Sequence, residues 1–417
     1  MVKQGYKQTD FGVIPEDWDC VRFGEKVKIY RGGSPRPIQN YITTSSNGFN
    51  WIKIGDVGEN DKYIHSTQEK IIPEGISKSR EVHVGDFILS NSMSFGRPYI
   101  LGIDGCIHDG WLTIQDYKNT FATEYLYYLL SSDQIYRQYL CMAAGSSVKN
   151  LNKDKVSALN VIYPGIPEQE HIAEALSDVD SMIASLEKLI AKKKAVKQGA
   201  MQELLTGKKR LPGFTREWKT INLSKKSKIK ARIGWQGLTT NEYLDSGFSY
   251  LVTGTDFVNG KIDWDNCHYV AKDRFDQDKN IQIQNNDILI TKDGSLGKTA
   301  LVKGLNKPAT LNSGVFVIRP IQESYDPTFV YYILSSFVFK DFLDHLSAGS
   351  TIIHLYQKDI NKFEFLMPPT IEEQAAIASI LSDMDNEIEA LEQKLAKTRQ
   401  IKQGMMQQLL TGKIRLV

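Results

Sequence analysis

The chain has 417 residues, 41% hydrophobic and 24% charged, with a formal net charge of +2. That is ordinary globular composition with room for two or three domains, and any nucleic-acid surface has to be local rather than global. No apolar run approaches about 18 residues, so no membrane span is expected. The polar start "MVKQGYKQTDFG" has no signal-peptide core. The four cysteines, Cys20, Cys106, Cys141 and Cys267, form no C-x-x-C pair. They argue against a zinc ribbon or disulfide framework and for a reducing cytoplasm.

In chain order, "TDFGVIPEDW" comes first, followed by "EKVKIYRGGSPR" (25–36), a glycine-rich stretch carrying Lys26, Lys28, Arg31 and Arg36. "DFILS" reads as a strand, and "SFGRP" as a basic turn with Arg97. "TEYLYYLLSS" reads as an amphipathic, tyrosine-rich helix. "AGSSVKNL" (144–151) adds Lys149. At "PGIPEQEHIAEAL" a long helix begins, with Pro167 suited to its first turn. Ile172, Leu176, Val179, Ile183, Leu186 and Ile190 step by four and three, the seam of a coiled coil. "KQGAMQELLTGK" closes the helix, with Gly207 where a C-terminal glycine cap belongs.

The pattern then starts again. Trp218 matches Trp18, and "KKSKIKAR" (225–232) supplies Lys226, Lys228, Lys230 and Arg232. "NDILITKDGSLGK" (286–298) matches "GDFILSNSMSFGR" (85–97) and supplies Lys292 and Lys298. "PTFVYYILSSFVFKDFLDHL" is the second aromatic helical stretch, and "AGSTIIHL" places His354 opposite Lys149. Thr370-Ile-Glu-Glu373 reads as a capping box for a second long helix. Its seam is Ile377, Leu381, Met384, Ile388, Leu391 and Leu395, and it ends near Gly412. Residues 197–211 and 402–416 are identical at twelve of fifteen positions.

The chain is thus two copies of one unit, each a mixed globular part followed by a helix. The expectation is an α+β fold with two tandem domains, at 1–165 and 208–369, separated by helices at 166–207 and 370–412. The matched seams favour an antiparallel helix pair over two separately packed helices. Gly199 and Gly404 interrupt the helices at the same place. Glycine inside a helix costs about 1 kcal/mol relative to alanine. Either the helix bends there, or another domain or a partner approaches the backbone closely; close packing is the expected reason.

Catalytic motifs were weighed and set aside. "DGSLGKT" has Lys292 where a phosphate-binding loop needs glycine. "MPPT" lacks the Asn or Asp and the aromatic residue that flank the prolines of an adenine methyltransferase loop. The seven histidines show no metal spacing. His108-Asp109 faces Asn312-Ser313 in the second copy, so a catalytic pair is not expected. Basic residues on glycine-rich loops suit phosphate contacts, and Arg can read base edges. The DNA-contacting candidates are Lys26, Lys28, Arg31, Arg36, Arg97, Lys149, Lys226, Lys228, Lys230, Arg232, Lys292, Lys298 and His354.

The junction motifs "PGIPEQEHIAEAL" and "MPPTIEEQAAIASIL", the twin "KQGxMQxLLTGK" strips and "TDFGVIPEDW" resemble the specificity subunits of type I restriction-modification systems. The resemblance covers essentially the whole chain. It implies two target-recognition domains on an antiparallel helix pair with a pseudo-twofold axis, each reading half of a bipartite, asymmetric DNA target. The helices would set the gap and dock two DNA methyltransferase subunits, with restriction and translocase subunits joining the full complex. The chain would be non-catalytic and cytoplasmic, with no cofactor of its own. S-adenosylmethionine, ATP and Mg would belong to its partners. Base reading is expected where the copies differ: 36–50, 91–109 and 146–153 in the first, 232–249, 291–312 and 350–358 in the second. The rival readings are a fused methyltransferase-nuclease and a protein-binding coiled-coil scaffold.

Overall fold

A computed structural model describes residues 4–9, 12–58, 61–91, 95–143, 150–346 and 354–417. The chain divides into two compact units, residues 1–187 with 393–417 and residues 188–392. Only the second unit is a continuous stretch of sequence; the first is built from both ends of the chain, and each takes the N-terminal half of one long helix and the C-terminal half of the other.

In the first unit a five-stranded sheet runs in the order Lys28–Arg31, Trp111–Gln115, Phe87–Ser90, Pro98–Leu101, Tyr63–Ile64. Its central strands are buried on both faces, which is why "DFILS" is a continuous apolar run rather than an alternating one. Phe87, Leu89, Leu112 and Ile114 point into one core, with the helix Thr123–Leu130 and the start of the first long helix. Ile88 and Trp111 point into a second core. A second sheet is ordered Ile42–Thr43, Glu69–Ile71, Phe49–Ile52, Gly105–Ile107, Arg80–Val82.

The second unit repeats the plan. Its main sheet is ordered Ser227–Ala231, Val315–Pro320, Ile288–Thr291, Thr299–Leu301, matching the first four strands above. Ile288, Ile290, Phe316 and Ile318 face one core, while Leu289, Val315 and Val317 face another. The aromatic stretch from 327 to 346 is two helices, Pro327–Leu334 and Phe337–Leu346. Serine breaks it: the Ser336 hydroxyl accepts from the Val338 amide at 3.2 Å, offering the backbone an alternative to the helical ladder.

The long helices are Ile166–Leu204 and Ile371–Leu409, 39 residues each, or about 58 Å at 1.5 Å per residue. Every seam residue is buried or half-buried. Ion pairs show that the helix segments run antiparallel. In the first unit Glu187 pairs with Arg399 and Asp180 with Lys402. In the second, Lys193 pairs with Glu387 and Lys197 with Asp385. Gly207 and Gly412 adopt φ of +70° and +68°, the left-handed cap that glycine takes without steric cost. The close packing expected at Gly199 and Gly404 is absent within the chain: a Cβ built on either meets nothing within 4 Å among the described residues.

A buried glutamate fastens each domain to the helix pair. Glu373 has a side chain only 1% exposed. It does not complete the capping box: Thr370 Oγ1 accepts from the Glu373 amide at 3.4 Å, but the carboxylate turns away. It accepts from Trp218 Nε1 at 3.1 Å and from Arg210 Nε and Nη2 at 2.8 and 3.0 Å. In the first unit Glu168 accepts from Trp18 Nε1 at 3.2 Å and from Arg415 Nε and Nη2 at 2.6 and 2.8 Å. The next residue serves the domain. Gln169 accepts from the Ala122 amide and Gln374 from the Asp326 amide, each just ahead of the tyrosine-rich helix.

Removing one partner of a buried ion pair strands a charge. Arg210→Met is expected to destabilise the second unit by about 3 kcal/mol. The double variant Arg210→Met, Glu373→Met should recover part of that loss, read from urea unfolding midpoints.

Candidate nucleic-acid interface

Each main sheet ends in a tip made by three segments, and the same main-chain hydrogen bonds build both tips. In the first unit the Asn91 amide donates to Gly110 O at 3.1 Å, and the Leu151 amide to Asn91 O at 2.9 Å. In the second the Lys292 amide donates to Gly314 O at 2.9 Å, and the Leu355 amide to Lys292 O at 2.8 Å. Likewise Ser90 N bonds Arg97 O, and Thr291 N bonds Lys298 O. Gly96 and Gly297 make the matching turns at φ of +76° and +75°. The backbone therefore equates Asn91 with Lys292, Arg97 with Lys298, His108 with Asn312 and Asp109 with Ser313. It pairs His354 with Asn150 rather than with Lys149, which lies outside the described residues.

In the first unit Lys26, Lys28, Arg31 and Arg36 are exposed, and Arg97 is half-buried over the Tyr99 ring. Arg31, opposite Leu112, lies at the tip end of its strand, whereas Lys28, opposite Gln115, lies at the other end with Lys26 before it, so these two lysines are not brought to the tip. Lys28 pairs with Asp116 at 2.6 Å. That pair is open to solvent, so it contributes little and leaves the lysine available. Arg31 and Arg36 converge on Asp109. Arg31 Nε donates to Asp109 O at 3.5 Å, and Arg36 Nη2 lies 3.8 Å from Asp109 Oδ2. Ser34 Oγ donates to Asp109 Oδ1 at 2.8 Å, and Asn91 Nδ2 to Asp109 O at 2.8 Å. The Ser34 hydrogen bond holds the Asp109 carboxyl below the usual carboxylate range. His108 goes the other way: burial pushes its pKa down, and Nδ1 accepts from the Gly110 amide at 2.6 Å. The ring thus serves the turn that carries Asp109.

In the second unit Lys226, Lys228 and Lys230 are exposed, the last two on the outward positions of Ser227–Ala231, with Ile229 inward. The strand reaches the tip at its Ala231 end, opposite Phe316, so Lys230 is the nearest of the three, while Lys228, opposite Arg319, and Lys226 lie toward the other end. Lys298 is exposed, and Lys292 is half-buried over the Phe316 ring. His354 is half-buried, pairs with Asp293 and packs against the Tyr356 ring at a tilt of 56°.

Arg232 departs from expectation. It is 2% exposed and makes no surface for a phosphate. Its Nε donates to Leu311 O at 2.8 Å and its Nη2 to Thr310 Oγ1 at 3.2 Å. Burial lowers its pKa. The first unit shows why. The matching carbonyl, Ile107 O, accepts from the Gly33 amide at 3.1 Å. There the chain approaches so closely that a Cβ on Gly32 would lie 2.0 Å from His108 O. The first domain satisfies this carbonyl with main chain and the Ser79 hydroxyl, also at 3.1 Å, and the second with a guanidinium. Asn91 and Asp109, and Asn312 with Tyr243 opposite it at 2.7 Å, lie within the stretches expected to read bases but were not named individually; Ser34 lies outside those stretches. A search for basic residues passes over them; comparing the two copies marks the stretches, and the hydrogen bonds pick out the residues.

No group of three or more His, Cys, Asp or Glu residues among the described residues could hold a metal ion. The chain is a duplicated binding protein: two tips with one backbone and two sets of side chains, carried on a shared helix pair. A family model for the type I restriction modification DNA specificity domain matches residues 15–197 and again 218–400. The chain therefore belongs to that family, as a specificity subunit with two copies of the domain. It is 24% identical over 442 aligned residues to the type I restriction enzyme MjaVIII specificity subunit of Methanocaldococcus jannaschii, covering 100% of this chain and 98% of the relative. Its fold is similar to that of the HsdS subunit from Thermoanaerobacter tengcongensis, with TM-score 0.51, 19% identity, and 99% and 100% of the two chains covered. It is also similar to the S subunit from M. genitalium, with TM-score 0.57, 15% identity, and coverage of 94% and 96%.

The surroundings of Arg232 and its lysine neighbours give a direct contrast. Arg232→Ala leaves buried acceptors unpaired and is expected to cost about 2 kcal/mol. Lys228→Ala and Lys230→Ala should stay within about 0.5 kcal/mol of the parent. Chemical denaturation of the three variants checks both statements.

Proposed function

We propose that each tip reads one half of a bipartite, asymmetric DNA target for the type I restriction-modification complex to which this specificity subunit belongs. The observation that carries the proposal is the pair of matched tips: identical main-chain bonds, with different side chains at 91 and 292, at 109 and 313, and at 150 and 354. A binding frame that is kept while its contact residues change is what two different half-sites require. Exposed Lys26, Lys28, Arg31, Arg36, Lys226, Lys228, Lys230 and Lys298 supply phosphate contacts, with Arg97, Lys292 and His354 beside them. Arg232 acts by bracing its loop.

The long helices would fix the untouched gap between the half-sites, since one turn of B-DNA is about 34 Å. They would also dock two methyltransferase subunits, with restriction subunits completing the assembly. S-adenosylmethionine, ATP and Mg, and the flipped adenine, would belong to those partners. The chain would act in the cytoplasm; no described helix is long and apolar enough to cross a membrane. The open space at Gly199 and Gly404 leaves a partner as the reason for glycine there.

Methylation mapping in cells, with the partner methyltransferase and with or without this chain, tests the proposal. Adenine methylation at a split motif should require the chain. Replacing residues 1–160 with those of another family member should change one half of the motif only; change in both halves, or in neither, refutes the two-reader scheme. Neutralising Lys228 and Lys230 should weaken binding across sequences and flatten the log–log salt slope by about 0.9 per lost contact. Gly199→Leu should leave the chain folded, gaining up to about 1 kcal/mol of helix stability. It should reduce co-elution with the methyltransferase on size exclusion.

A further inference from the structure

Resting on that reading and deepening it, we infer that Asp109 is a specificity-determining residue. With Arg36 it reads a C·G base pair in the first half-site, its carboxylate accepting from the cytosine amino group.

Asp109 stands at the apex of the turn joining Gly105–Ile107 to Trp111–Gln115, closed by Trp111 N to His108 O at 3.1 Å. Its main-chain carbonyl is held by Asn91 and Arg31, and its Oδ1 by Ser34. The side chain nevertheless remains 43% exposed. Oδ2 faces the Arg36 guanidinium at 3.8 Å, and Arg36 is itself 84% exposed. This is an oriented, ionised carboxylate set among cations on the face proposed to meet DNA.

A carboxylate so placed is repelled by phosphates and finds no donor on the backbone of DNA. In the major groove the donors are the amino groups of adenine and cytosine. On adenine the amino group adjoins N7, an acceptor, which opposes a second carboxylate oxygen. On cytosine the neighbouring edge atom is a C–H, and no such opposition arises. The paired guanine presents O6 and N7, the acceptors that an arginine fork matches. Asp109 and Arg36 together therefore complement C·G better than any other pair. The matched residue in the second copy, Ser313, is neutral, so the two tips do not share this preference.

The test is binding-site selection from randomised duplexes, using the full chain co-expressed with its methyltransferase subunits. Parent, Asp109→Asn, Asp109→Ala and Arg36→Gln are compared. Asp109→Asn keeps the size of the side chain and an oxygen for Ser34. In the half-site lost on replacing residues 1–160, the parent should require one C·G pair. Both Asp109 variants should reduce the preference for cytosine there by about five- to hundredfold, with the other half-site unchanged. Arg36→Gln, a surface change, should relax the same pair and covers the case in which the Asp109 variants fold poorly. Retention of the C·G preference in all three variants, with affinity lowered evenly, would make Asp109 a structural residue and overturn the inference. A parent half-site without a C·G pair would do the same while leaving the two-reader scheme intact. A parent with no split preference at all would defeat that scheme, and this inference with it.

Discussion

A carboxylate buried at the start of each long helix holds this architecture together. Glu168 and Glu373 lie where taking a charge out of water costs several kcal/mol, so each is retained only with its partners in place. Those partners come from two parts of the chain: an indole from the start of the domain and a guanidinium from beyond the end of the other long helix. The geometry that satisfies the charge also fixes where the domain meets the helix pair. The adjacent glutamine then ties the same helix end to the tyrosine-rich helix of the domain.

The repeated strip follows from this requirement. In "KQGxMQxLLTGKxRL" the leading lysines, Lys197 and Lys402, pair with Asp385 and Asp180. Those aspartates also accept from Tyr332 and Tyr128 of the domains, each at 2.8 Å. The paired leucines enter the cores: Leu204 and Leu205 in one unit, Leu409 and Leu410 in the other. The glycine turns the chain, and the arginine reaches the buried glutamate. The lysine, the leucines and the arginine of each strip thus meet partners that are also shared. The tips are under no such constraint, because their frame is main chain, and main-chain bonds tolerate any side chain that does not clash. Conserving one set of contacts frees the other to differ.

That division explains what the sequence disclosed. The two copies, the α+β class, the helix seams and the glycine caps were legible because each rests on local periodicity or on a backbone conformation that few residues adopt. The joint was visible only as a motif. Nothing local says that Glu373 abandons its capping box for Arg210, because that choice depends on a residue distant in the chain. Arg232 misled for a related reason. Its neighbours Lys228 and Lys230 alternate outward from a strand, and charge alone could not reveal that the chain past the strand turns the guanidinium inward. Asp109 was passed over because a search for phosphate contacts discards carboxylates. The sequence already matched it with Ser313; what the structure adds is the set of groups that orient it, Ser34, Asn91, Arg31 and Arg36.

The two joints are chemically alike but are closed differently. Arg210 and Trp218 are near neighbours in sequence, so the chain itself brings them to Glu373. Arg415 and Trp18 lie at opposite ends, and for a flexible chain closing so much longer a loop costs about 3 kcal/mol more. The first unit carries additional contacts at that place. Asp17 accepts from Arg415 Nη1 and Nη2 at 2.9 and 2.7 Å. The Tyr6 hydroxyl donates to Gly412 O at 3.1 Å, and the His171 ring meets Leu416 O at 3.0 Å. Gly412 packs so tightly that a Cβ there would lie 2.5 Å from Pro15. The carboxylate of Asp17 is held below its ordinary range chiefly by its bond to Arg415, and the guanidinium of Arg415 is pushed above its own chiefly by its bonds to Glu168 and then to Asp17. These contacts offset at the chain ends what continuity supplies for nothing in the middle, which is why the last residues of the sequence are a structural member of the first domain.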